Sequence, residues 1–160
     1  MDRSQKVNGR VTDSRKGFHF ALTAAVMIFI FIQSALPGHV SGAESNIIVR
    51  MITSIVQADA ETVGFVVRKT AHFTEYMVLG ACLLLNVRDC FAHLQPRQMW
   101  GLTWMLGTAY AVTDELHQRF VPERSCEPRD MCIDAAGVAL GALIMLAIVM
   151  RQRAERKEDA

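Results

Sequence analysis

Four blocks of apolar residues divide the chain, each close to the roughly 20 residues that cross a hydrocarbon core. Phe18–Leu36 carries no charge and stops at Pro37-Gly38. Thr70–Val87 is apolar except for His72 and Glu75 in its first turns. Met99–Leu116 stays free of charge until Asp114, and Met131–Met150 holds one charge, Asp134, near its start. A buried core in a soluble domain accounts for one such run, not four. The pattern therefore predicts an all-α polytopic membrane helix bundle with four transmembrane helices, spanning 18–150. A tail over 1–17 precedes it, and a charged, solvated tail over 151–160 follows.

Between the first two blocks, Ile47, Ile48, Met51, Ile52, Ile55 and Val56 recur at helical spacing. Ser45 or Asn46 is placed to cap such a helix. Arg50, Thr53, Ser54 and Gln57 fall between the apolar positions. Two readings stay open: a helix lying in the membrane interface, or a short extracytoplasmic helix packed over the bundle. The first block also has signal-peptide features, with basic residues before it and Ser41-Gly42-Ala43 after it. Its length exceeds the usual 7–15-residue apolar region of a signal peptide, which favours an uncleaved span.

Charge fixes the expected orientation. Eleven of the 17 lysines and arginines lie before span one, between spans two and three, or after span four. The positive-inside rule puts those three segments, and both termini, in the cytoplasm. Arg50, Lys69, Arg68, Arg119, Arg124 and Arg129 are the exceptions. Basic residues on the disfavoured side need a reason, and pairing with nearby acids or with an anionic ligand supplies one. A net charge of +1 with no basic stripe gives no sign of nucleic-acid binding.

Polar residues gather on that extracytoplasmic side. Lys69, His72, Glu75 and Tyr76 follow one another along a face of span two, and Asp114, Glu115, His117 and Gln118 end span three. Asp130 and Asp134 open span four on a stripe continuing through Gly137 and Gly141, the ends of GVALG. Small residues at that spacing let a neighbouring helix approach, so the stripe is expected to face the bundle. A charge at mid-membrane costs about 2.5–3.5 kcal/mol, so these groups must meet one another, water or a ligand.

In order and at these spacings, KTAHFTEYMVLG, TDELHQRFVPERSCEPRDMCIDAAGVALG and the span-one ending QSALPG resemble the VanZ-like family. Lys69, His72, Glu75 and Tyr76 match its first motif. Asp114, Glu115, Gln118, Phe120, Pro122 and Arg124 match the second, and Asp130, Asp134 and Gly137 the third. Glu123 stands where glycine is expected, and Cys126 and Cys132 are outside the pattern. The resemblance implies a small multi-pass protein of the bacterial cytoplasmic membrane and cell envelope. The family is named for a member associated with low-level resistance to the glycopeptide teicoplanin. It supplies motif positions and location, and no reaction.

Chemistry leaves several roles open. In an enzyme acting on a lipid-linked or cell-wall-related substrate, His72 is the candidate general acid or base, with Glu75 or Asp114 orienting it. In a binding protein, Lys69 and Arg124 hold an anionic group, supported by Tyr76, Glu115, Gln118, Asp130 and Asp134. A helix-locking network of salt bridges is the structural alternative, and a proton path would need carboxylates reaching across the membrane. Ser125 and Thr74 are the available nucleophiles, neither in a recognisable elbow. No HExxH or paired-cysteine signature is present, so no metal and no cofactor is expected. Membrane lipids are the expected surroundings. Cys126 and Cys132 either bridge in an oxidising space or remain thiols. His19, His39 and His93 stand apart from the constellation, and Trp100 and Tyr110 sit where interfacial anchors fall.

Overall fold

The structure is a computed structural model that describes residues 3–37, 49–55, 59–122, 124 and 126–159, with side chains from residue 13 onward. The candidate cleavage site at Ser41–Ala43, the caps Ser45 and Asn46, and Ser125 lie outside those residues. Every described element is helical. Helix α1 is Arg3–Ala35, α2 covers 49–55, α3 is Ala60–Cys90, α4 is Pro96–Gln118 and α5 is Pro128–Glu158.

Local chemistry sets the ends. Leu36 precedes Pro37, and a residue before proline is pushed out of the helical region, so α1 stops at Ala35. The Asp59 carboxylate accepts from the Thr62 backbone N–H and hydroxyl at 2.9 and 3.1 Å, capping α3. Those bonds hold Asp59 below its usual carboxylate range. Proline opens both α4 and α5, where its missing N–H leaves no donor unpaired. At both termini the helices outrun the apolar blocks. α1 begins in the polar tail at Arg3, and α5 carries the charged tail to Glu158 as an exposed helical extension.

The tightest packing is between α3 and α5. A Cβ on Gly141 would strike the Met77 carbonyl, and one on Gly80 would strike the Val138 backbone. Gly137 lies as closely against Phe73. The small-residue stripe therefore faces the bundle, with Asp134, Gly137 and Gly141 all buried. Ile30, Tyr76, Leu79, Ala111 and Val138 join α1, α3, α4 and α5 in one core, and Leu84, Val87 and Met99 form a second. Trp100 and Trp104 stack at 6.0 Å and donate to the carbonyls of Ala139 and Ala135, tying α4 to α5. Tyr110, expected at an interface, instead donates its hydroxyl to Met27 of α1 at 2.7 Å.

Polarity is inverted relative to a water-soluble domain. Asp114, Glu115, Gln118 and Asp134 are buried, while Phe18, Phe29, Phe31, Ile32, Leu143 and Ile144 are exposed. Soluble monomers rarely leave apolar surface so extensively uncovered. Two helices, α1 over Asp13–Ala35 and α5 over Pro128–Glu158, are long and apolar enough by themselves to cross a membrane. α3 and α4 do not reach that standard. Both spend positions on polar side chains that turn into the bundle.

Candidate functional site

The C-terminal ends of α1 and α4 meet the N-terminal ends of α3 and α5, and the expected polar residues collect there in three groups. In the first, Asp114 accepts from Ser34 at 2.7 Å and from Gln118 at 3.1 Å. Gln118 accepts in turn from Arg124 Nη1 at 3.3 Å. Arg124 also donates Nε to the Leu36 carbonyl at 3.2 Å and Nη2 to the Gln33 carbonyl at 3.1 Å. Carbonyls at a helix C-terminus lack intrahelical partners, so this guanidinium closes the end of α1. Burial lowers the Arg124 pKa first, with Asp114 opposing that shift. Ser34 is wholly buried in this knot and had no assigned role in the sequence. Its signal was present in QSALPG, where the motif could be seen but not its partner.

The second group ties α3 and α4 to the start of α5. Lys69 Nζ pairs with Asp130. The Glu115 carboxylate, 1% exposed, accepts from the Glu127 backbone N–H at 3.2 Å and so fixes the residue that leads into α5.

Open acceptors make up the third group. Asp134 is fully buried, and neither carboxylate oxygen accepts a hydrogen bond from the described residues. Its nearest cationic candidate is His72 Nδ1 at 3.9 Å, too long for a hydrogen bond. Asp134 therefore stands against His72, a position the sequence had offered to Glu75 or Asp114. Also buried without a hydrogen-bond partner among the described residues are the Tyr76 hydroxyl, Asp114 Oδ1, Asp130 Oδ1 and His117 Nε2, the last on a ring stacked 4.6 Å from Phe31.

Glu75 departs from its neighbours. Each i+3 step on a helix falls about 60° short of a full turn, so Glu75 lies about 120° round from Lys69. It makes no hydrogen bond or ion pair with the described residues, and lines a cavity of about 330 Å³ between α1 and α3 with Phe29, Ile30 and Val78. Among the described residues, no group of three or more His, Cys, Asp or Glu side chains is arranged to hold a metal ion. Cys126 and Cys132 are free thiols.

The opposite end of the bundle holds a cluster that the sequence concealed. His19, expected to be isolated, is buried and meets Asp89 at 2.6 Å, 70 positions away. Arg88 donates to the other Asp89 oxygen at 3.0 and 3.1 Å. Burial pushes the Asp89 carboxyl up, but the hydrogen bonds from His19 and Arg88 outweigh it and leave Asp89 below its usual range.

No curated protein and no solved structure matches the chain. A family model described as VanZ/LLP1 matches residues 19–150, a range that takes in Ser34, the polar cluster and the glycine stripe. With most of its length so matched, the chain belongs to the VanZ/LLP1 family.

Proposed function

We propose that the protein is a four-span membrane protein of the bacterial cell envelope with both termini in the cytoplasm. Its extracytoplasmic polar end binds or processes an anionic lipid-linked or cell-wall-related ligand, in a role linked to glycopeptide (teicoplanin) resistance. Supporting the spans are the inverted polarity of the surface, the two helices apolar enough to cross alone, and the family's character. α3 and α4 turn Tyr76, Asp114, Glu115 and Gln118 inward and present Val78, Met105 and Leu116 outward, and the exposed Met51 and Ile55 of α2 suit the membrane interface.

One observation carries the ligand site: Asp134 is completely buried, yet neither of its oxygens accepts a hydrogen bond from the described residues, with His72 beside it at 3.9 Å. A network whose purpose is to lock helices satisfies its buried acceptors, because each unsatisfied one costs about 1–3 kcal/mol. The Arg124–Gln118–Asp114–Ser34 knot does satisfy most of its atoms and fits the locking role. The His72–Asp134 pair does not, and is the place for a hydroxyl, amide or ammonium of the ligand, with Lys69 on its anionic group.

The test combines His72→Gln and Asp134→Asn in the full chain with mass spectrometry of co-purified lipids and growth in teicoplanin. Both variants are expected to keep wild-type abundance and lose the ligand. Turnover of that ligand by wild type, abolished in His72→Gln, marks an enzyme; retention without turnover marks a binder. Unchanged ligand content in both variants sinks the proposal.

A further inference from the structure

Beside the polar end, on the outer side of α3 and α5, lies a second cavity of about 300 Å³. Phe65, Val66 and Phe73 of α3 and Ile133 of α5 give it an apolar lining, and Lys69 and Arg129 are the charges on it. Both cations converge on one aromatic ring: Lys69 Nζ and Arg129 Cζ each stand 5.2 Å from the Phe65 centroid. The ring face attracts each of them, but bringing two positive charges to one ring repels them from each other. Lys69 is balanced by Asp130. Arg129 has Glu127 at 3.4 Å, in a pair exposed by 64% and 43%, a geometry that holds weakly in water. One turn further along their helices, Lys69 is followed by Phe73 and Arg129 by Ile133. The groove thus has cations at one level and an apolar floor beneath, which is the polarity of a lipid headgroup and its chain.

We infer that this groove is a binding site for an anionic phospholipid, with Lys69 and Arg129 on its phosphate beside Phe65 and one acyl chain along Phe73 and Ile133. Charge complementarity commits the occupant, because Lys69 and Arg129 are the charges on the lining and the exposed Arg129–Glu127 pair holds only weakly in water. The site also supplies a reason for two basic residues on the side that the positive-inside rule disfavours. It rests on the membrane orientation proposed above and shares Lys69 with that reading's ligand, while Arg129, Phe65 and Ile133 belong to the groove alone.

The experiment uses the full chain in detergent micelles, with native mass spectrometry reading the retention of dioctanoyl phosphatidylglycerol against dioctanoyl phosphatidylcholine. Wild type is expected to retain the phosphatidylglycerol preferentially. Arg129→Ala should weaken retention roughly tenfold, the loss of one charge-assisted contact, while Arg129→Lys restores part of it. Ile133→Trp, which fills the floor, should lower retention of both lipids, so the result does not depend on one variant folding. Equal retention of the two lipids overturns the inference, as does Arg129→Ala with wild-type retention, or inorganic phosphate competing as well as the lipid. Asp134→Asn separates the two proposals. If it loses phosphatidylglycerol as Arg129→Ala does, the lipid belongs to the buried cluster and the groove inference fails alone. If Arg129→Ala loses the lipid while Asp134→Asn keeps normal function, the ligand role of the His72–Asp134 pair fails alone.

Discussion

Half-buried Arg124 and fully buried Asp134 are ionisable side chains with different fates, and substitution should separate them. Arg124 gives each of its three nitrogens to a different oxygen, two of them carbonyls at the end of α1. Arg124→Ala strips those carbonyls of a charged donor. It is expected to cost about 1.5–3 kcal/mol, read as a fall in melting temperature and in membrane abundance. Arg124→Lys should recover little of it, since one ammonium cannot reproduce the planar fork. Asp134 makes no hydrogen bond to the described residues that could be lost. Asp134→Asn is therefore expected to leave the melting temperature unchanged or raise it, while the bound ligand disappears. A large drop in stability for Asp134→Asn would mean that the residue is structural after all.

Between elements, closeness and polarity do different work at the two ends of the bundle. Near the middle, α3 and α5 touch through glycine, where a methyl group has no room. Gly141→Ala gains at most about 1 kcal/mol of helix propensity, whereas overpacking of this kind costs about 1–3 kcal/mol. The clash should win, lowering the melting temperature and weakening the Lys69–Asp130 pair that lies further up the same interface. At the other end, α1 and α3 are held by His19 and Asp89. Because the folded Asp89 pKa is depressed, its contribution is present above the unfolded carboxylate value and is lost as pH falls through the folded one. Asp89→Asn should thus melt lower than wild type at pH 7. The gap should close below about pH 3, where the wild-type carboxyl is protonated too.

For the molecule as a whole, buried polar groups and an apolar exterior call for a hydrocarbon solvent rather than water. The proposed four-span arrangement predicts that a cysteine at Phe120, 83% exposed beyond α4, reacts with an impermeant maleimide in intact cells. The native Cys90, exposed beside the His19–Asp89 end, should react only after the membrane is opened. The measurement uses Phe120→Cys in a background with the native cysteines replaced, and separately the Cys90-only protein. The reverse labelling pattern would overturn the orientation.

Periodicity and motif order by themselves determined that the described elements are helical, where the core of each long helix falls, and which end gathers the acids. They did so because helix faces and apolar lengths are local properties. The inward stripe of Asp134, Gly137 and Gly141 was legible for the same reason. Partnership was not. Ser34 and Asp114 are 80 positions apart, as His19 and Asp89 are 70, and no local pattern records which polar group reaches which. Only the tertiary structure decided that Arg124 closes α1, that Glu115 serves the start of α5, and that Asp134 rather than Glu75 faces His72. Each of these depends on how helices rotate about their axes when they pack, and a rotation of about 100° separates one residue from the next.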